Sequence, residues 1–203
     1  MNSRNLSLCG LDEAGRGALA GPLVAAAVLL PNDYRRVLKK LDTPLRDGKT
    51  LTVNQRRKII KYIIKKCIRY RTEIISARII NNHGIGKSNR EIFRRLIRKI
   101  EADKYIVDGN LKIGKIRGRM NIESKPHADA EIPAVIVAGI IAKFTRDKIM
   151  RKLHNKYPQY GWNSNAGYGT KKHIESIRYF GICRYHRNIF VTTAEKNMIK
   201  QFK

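Results

Sequence analysis

Acidic residues are scarce in this chain: 16 Asp and Glu stand against 43 Lys and Arg, a formal net charge of +27 over 203 residues. Such an excess goes beyond what solubility requires and opposes compaction by self-repulsion, so a polyanion is the natural partner. The basic residues run along the whole length, which reads as a broad nucleic-acid field and not as a disordered basic arm. Long apolar runs are also missing. The longest, Leu23 to Leu30 and Ile132 to Ala142, are too short to span a bilayer. No signal-peptide pattern is read ahead of them, so the expectation is a soluble, cytoplasmic protein with no membrane partner. Cysteine is sparse as well: Cys9, Cys67 and Cys183 have no zinc-ligand spacing and leave an odd thiol, which fits a reducing compartment. There is no internal repeat and no low-complexity tract, and the length suits one compact unit.

Among the few acids, two are adjacent. The stretch Cys9 to Pro22 crowds Asp12, Glu13, Arg16 and the glycines 10, 15, 17 and 21 into one bend after an apolar run. On a strand, Asp12 and Glu13 would face opposite ways; at a strand end turning into glycine, both reach one ion. Gly15 and Gly17 let the backbone approach a ligand, their amides can cradle an anion, and Arg16 can grip it bidentately. A plain surface turn accounts for the same residues, so the neighbouring segments must decide.

In chain order, Leu6 to Leu11 reads as a first strand and Leu23 to Leu30, stopped by Pro31, as a buried second one paired antiparallel to it. Asp47-Gly48-Lys49-Thr50 is a loop. Thr52 and Gln55 form a capping box for a helix with Ile59, Ile60, Ile63, Ile64, Cys67 and Ile68 on one face. A strand follows over Arg71 to Ala77, then a break at Gly84 and Gly86. Ser88 and Glu91 make a second capping box ahead of a stripe of Ile92, Phe93, Leu96, Ile97 and Ile100. Arg94, Arg95, Arg98 and Lys99 form the opposite face, available to phosphate or simply solvated. Tyr105 to Asn110 is a β-branched strand ending at Asp108, where open α/β sheets place their sites, although a capping role for an Asp-Gly explains it too. A short strand over Met120 to Glu123 and a loop containing His127 and Asp129 precede a long helix from Pro133 to His154, apolar nearly all round in its first half. Asp129, ahead of that helix, suits its N-terminus whether or not it binds metal. Tyr168, between Gly167 and Gly169, is placed to stack on a sugar or base, or else packs over its loop. Thr170 caps a helix that stops at Gly181, Tyr185-His186-Arg187 adds a basic cluster, and a last helix starts near Thr193.

Four ordered blocks resemble the type 2 ribonuclease H family: Gly10-Leu11-Asp12-Glu13-Ala14-Gly15-Arg16-Gly17 with Gly21 to Val28; Val107-Asp108-Gly109-Asn110; Ala128-Asp129-Ala130-Glu131-Ile132-Pro133 with Ala138 to Asp147; and Gly167-Tyr168-Gly169-Thr170 with His173, then His186-Arg187. The resemblance implies an α/β fold, a ribonuclease H-like mixed sheet flanked by helices over residues 1–155, with a small helical C-terminal lobe over residues 156–203 as one wall of a substrate groove. It implies metal binding and catalysis by Asp12, Glu13, Asp108 and Asp129. Gly15, Arg16 and Gly17 match the turn that reads the junction between a ribonucleotide and the next deoxyribonucleotide. Tyr168 matches the aromatic that stacks on the deoxyribose, and Lys49 a phosphate-contacting lysine. The chain departs from the family's pattern at Gly48 and Thr50, and at Gly139, where the family has serine. The sister type 3 family normally carries an extra N-terminal domain, whereas here the acidic signature starts almost at residue 1.

Four converging carboxylates would raise one another's pKa values, and two divalent cations about 3.5 to 4 Å apart would hold them ionised. Hard oxygen ligands favour Mg²⁺ or Mn²⁺ over zinc. The implied activity is endonucleolytic cleavage of the RNA strand of RNA/DNA hybrids, and at ribonucleotides in duplex DNA, by a monomer. Asp12 is the expected bridging acid, from its place on the central strand.

Overall fold

Seven small or branched apolar residues, Leu23–Leu29 (β2), are buried along their whole length, as a strand covered on both faces must be. The computed structural model describes residues 7–30, 34–39, 52–65 and 69–200; Lys49 and Cys67 lie outside them. Leu8–Ala14 (β1) is the central strand of a five-stranded mixed sheet that also contains Arg69–Ile75 (β3), Lys104–Asp108 (β4) and Ile122–Lys125 (β5), in the order β3-β2-β1-β4-β5. The connection from Gly15 to Pro22 is too short for the crossover that parallel neighbours need, so β1 and β2 are antiparallel. The β1–β4 and β4–β5 pairs are parallel.

Contacts divide the chain into two units, Met1–Ala14, Ala25–Glu73 and Arg90–Phe144 in the first, Gly15–Val24, Ile74–Asn89 and Thr145–Lys203 in the second. In the first, Ile59 and Ile60 of the helix Val53–Lys65 (α2) pack with Ala26 and Val28 of the sheet and with the apolar first half of the long helix Pro133–Lys156 (α6). Each such buried branched side chain contributes about 1.5–3 kcal/mol. The Thr52–Gln55 capping box forms in both directions: the Gln55 amide donates to the Thr52 hydroxyl at 3.2 Å and the Thr52 amide to the Gln55 side chain at 2.9 Å. Tyr34–Lys39 (α1) is a short helix between β2 and α2. No helix among the described residues is long and apolar enough to cross a membrane.

Several expectations need correcting. Strand β1 runs on through both acids to Ala14, three residues past the expected end. Strand β3 starts earlier and stops at Ile75, because Ser76 caps a helix, Ala77–His83 (α3), accepting from the Ile79 amide at 3.4 Å. Ser88 is not a cap. Gly84, at φ +76°, ends α3, and the Ser88 amide then bonds the Gly84 carbonyl, so the next helix, Ile85–Lys99 (α4), already contains Ser88 and buries its hydroxyl. The α4 stripe is buried as expected. Its basic face is partly engaged: Arg94 donates to the carbonyls of Ile113 and Lys115, Arg95 pairs with Glu91, and Lys99 with Glu73.

The second unit has its own core, in which Leu19, Met150, Tyr160, Trp162, Ile174, Ile177 and Val191 pack together. It contains Ala77–His83, the end of α6, the one-turn helix Trp162–Asn165, the helix Lys171–Phe180 capped by Thr170, and a last helix, Asn188–Lys200, which starts five residues before the expected Thr193.

Candidate active site

The parallel register pairs Leu11 with Val107, so the next residues, Asp12 on β1 and Asp108 at the end of β4, stand level at the carboxyl edge of the sheet. The turn Ala128–Glu131 (α5) brings in Asp129, whose backbone amide donates to Asp108 Oδ1 at 3.2 Å. Asp129 thus lies in a short helix of its own, not in the loop expected ahead of α6. The Glu13 amide donates to Asp12 Oδ1 at 2.7 Å. Asp12 and Glu13 are both half-buried at the end of β1, and the Glu13 charge is the strongest of those acting on Asp12. Burial pushes the Asp12 carboxyl well above the usual carboxylate range, and the charges of Glu13, Asp108 and Asp129 raise it further.

Helix α6 closes on this carboxyl. A Cβ at Gly139 would collide with Asp12 Oδ2, so the absence of a side chain there makes room for the acid. Among the described residues, no group of three acids, histidines or cysteines stands close enough to hold a metal ion without side-chain movement. The donor set is all oxygen, and its mutual repulsion at Asp12 is the unfavourable term that hard divalent cations remove, so these residues fit such ions.

The glycine turn belongs to the second unit. Arg16 and Gly17 are exposed. Gly15 has φ +87°, and a Cβ there would overlap the Arg146 guanidinium, so the fold itself demands this glycine. Around Gly17 a Cβ would meet nothing, and the residue is absent from the left-handed region; the protein leaves that space open. Two arginines, both wholly buried, hold the turn from beneath. Arg146 donates to the carbonyls of Pro22, Ala20 and Ala166 at 2.9–3.0 Å, and Arg187 to those of Gly21 at 3.1 Å and Arg16 at 2.9 Å. In a trans peptide the carbonyl and amide point oppositely; with the Arg16 carbonyl drawn to Arg187, the Gly17 N–H points away from it. Burial and the neighbouring Arg146 push the Arg187 guanidinium down to about 9.

Tyr168 is 37% exposed, and the Arg146 guanidinium lies 5.2 Å from its ring centroid. The expected basic cluster at Tyr185-His186-Arg187 is not a surface feature, since His186 and Arg187 are fully buried. Burial pushes the Cys9 thiol up to about 12, which keeps it protonated. Sequence reading missed Arg146 as a site-building residue. Its partners are backbone carbonyls, which leave no mark on composition or spacing.

Residues 9–193 match the family model described as Ribonuclease HII. The Ribonuclease HII of Pelagibacter ubique (strain HTCC1062) is 40% identical over 185 residues, 90% of this chain and 95% of the relative. Among solved structures, the ribonuclease H2 of Pyrococcus horikoshii OT3 is similar with a TM-score of 0.80 at 25% identity, over 96% of this chain and 100% of that one. Bst-RNase HIII in complex with Mn²⁺ shares the fold, with a TM-score of 0.71 at 20% identity over 92% of this chain and 65% of that one.

Proposed function

The chain belongs to the ribonuclease HII family and is a metal-dependent ribonuclease H, and from that premise we propose that it cuts both the RNA strand of RNA/DNA hybrids and ribonucleotides embedded in duplex DNA, leaving 3′-hydroxyl and 5′-phosphate ends. The observation that carries this reading is the convergence of three carboxylate charges on the half-buried Asp12 at the sheet edge. Asp12, Glu13, Asp108 and Asp129 would hold two divalent cations, Mg²⁺ or Mn²⁺, with Asp12 shared. When bound, such ions supply an activated water for in-line attack on phosphorus and neutralise the departing ribose 3′ oxygen.

The chain's other residues bind and select. The Gly17 amide, turned away from Arg187, is placed to meet the 2′-hydroxyl and its phosphate at the close range that a missing side chain permits. Arg16 grips phosphate, and Tyr168 stacks on the deoxyribose beyond the junction. Lys49, outside the described residues, adds a phosphate contact. Affinity rests on lysines and arginines and should fall steeply with salt. The protein acts as a cytoplasmic monomer.

The test is cleavage of duplex DNA carrying one ribonucleotide, compared with a continuous hybrid, in Mg²⁺, in Mn²⁺ and in chelator. Both substrates should be cut with either metal and neither in chelator. Cleavage in chelator would overturn the metal role; binding of both substrates without cleavage in any metal would make the chain a hybrid binder.

A further inference from the structure

A line of buried polar atoms in the second unit ends on Tyr168. The Cys183 amide donates to His186 Nδ1 at 2.9 Å, and His186 Nε2 lies 3.4 Å from His173 Nε2. Trp162 Nε1–H donates to the same His173 Nε2 at 3.0 Å, and His173 Nδ1 lies 2.8 Å from the Tyr168 carbonyl. These partners fix every proton. An indole and a backbone amide can only donate, and a carbonyl can only accept. His173 is therefore the neutral Nδ1–H form and donates to Tyr168, while His186, accepting from the Cys183 amide at Nδ1, is the neutral Nε2–H form, its N–H facing the His173 nitrogen whose one lone pair Trp162 occupies. Both rings are fully buried, and burial keeps both below the usual histidine range.

The His173 bond is one of several that anchor this loop. The Tyr168 carbonyl also accepts from the Thr170 amide at 2.9 Å, its amide donates to the Asn165 carbonyl at 2.9 Å, and the Gly167 amide donates to Asn165 Oδ1 at 2.7 Å. The glycines on either side, Gly167 and Gly169, offer no stiffness of their own. The ring's direction from Cα follows from how this peptide is anchored.

We propose that His173, with its tautomer set by Trp162 and the Tyr168 carbonyl, is a positioning residue that aims Tyr168 at the sugar beyond the ribonucleotide junction, so that this buried line sets the preference for single embedded ribonucleotides over continuous hybrids. The proposal rests on the junction role given to Tyr168 above. His173 does not touch the substrate; it acts through the Tyr168 carbonyl.

Two conservative substitutions separate its two ring nitrogens. In His173→Asn the side-chain amide stands near the Nδ1 position and keeps a donor for the Tyr168 carbonyl. In His173→Gln it stands near Nε2, keeps the bond from Trp162 and gives up the donor. The readout is the ratio of kcat/KM on duplex DNA with one ribonucleotide to kcat/KM on a continuous hybrid, measured with the full chain, so that any general loss of folded enzyme cancels. His173→Gln should lower that ratio about fivefold to tenfold, the scale of one hydrogen bond, as Tyr168→Ala does. His173→Asn should hold it within about twofold, and the double variant His173→Gln with Tyr168→Ala should match Tyr168→Ala alone, since both act on one element.

A fall in the ratio for Tyr168→Ala with none for His173→Gln, or equal falls for Gln and Asn, would overturn the positioning role and leave the junction role intact. An unchanged ratio in Tyr168→Ala would instead overturn the junction role and the proposal with it. A second measurement needs no variant: ¹⁵N spectra of the histidines in the intact protein should show His173 protonated at Nδ1 and His186 at Nε2, and any other tautomer at His173 contradicts the proposal.

Discussion

In the first unit Asp12 is crowded by the charges of Glu13, Asp108 and Asp129, whereas in the second Arg146 and Arg187 are buried close enough for one to depress the other, with backbone carbonyls as hydrogen-bond partners. The two regions handle buried charge in opposite ways. The acids are left in mutual repulsion, which a proton or a bound cation relieves; the arginines spread their charge over carbonyl dipoles that are already in place. The first arrangement is unfinished without a ligand. The second is supplied almost wholly by the fold, Arg187 Nη2 being left without a hydrogen-bond partner among the described residues, and suits a part whose shape must be ready before substrate arrives.

The sharpest way to break this contrast is to remove one acid. Asp108→Asn should cut cleavage by about a thousandfold, the scale of losing one preorganised electrostatic contact in the transition state, while hybrid binding persists. Retained turnover would refute the role of Asp108. The same variant should leave the metal-free protein as stable as before or more so, because a repelling charge is gone. By contrast, Arg187→Met should cost about 3 kcal/mol in denaturant unfolding, since it strips donors from the buried carbonyls of Arg16 and Gly21. A neutral result there would mean that the arginine bed is dispensable.

Acid should also act with opposite sign on the two regions. Asp12 has a raised folded pKa, so its contribution is fully present below 3.8 and is lost as pH rises through the folded value. His186, pushed down to about 4 by burial and by His173, contributes stability that is present above 6.5 and is lost as pH falls toward 4. That loss amounts to about 3 kcal/mol at the acid end. Denaturant midpoints of the metal-free protein between pH 4 and 8 should therefore show a flatter acid limb in His186→Asn and a flatter alkaline limb in Asp108→Asn. Identical profiles for the two variants would contradict the contrast. The smallest effect is expected at Gly17→Ala. Its methyl meets no protein atom, so stability should hold or rise by up to about 1 kcal/mol, while cleavage should fall about tenfold, one contact's worth of binding, as the methyl meets the substrate. Unchanged cleavage would remove the close approach assigned to that residue.

What could be read from the sequence follows the same division. Acids announce themselves by residue type: Asp12, Glu13, Asp108 and Asp129 stand out by their places at strand and helix ends, the stripe of α4 by its periodicity, and the burial of α6 by a first half that is apolar nearly all round. The second unit is held largely by main chain, which has no spelling. Arg146 looks like any basic residue on a helix until its three carbonyl partners are in view. His186 and Arg187 read as surface charge and are interior. The false cap at Ser88 has a similar origin, since a Ser-x-x-Glu pattern was outweighed by a left-handed Gly84 that let the helix start earlier. Gly139 reads from the sequence only as a departure from the family's pattern; its place against Asp12 depends on how closely α6 approaches β1, a distance that no local pattern encodes.

The most direct test of the shared-cation account is an anomalous-scattering map from crystals of the intact protein grown with Mn²⁺. The account predicts manganese peaks with carboxylate oxygens of Asp12, Glu13, Asp108 and Asp129 at about 2.0–2.2 Å, the range for small hard divalent ions. Manganese bound elsewhere, or with the Asp129 carboxylate outside its coordination sphere, would contradict it.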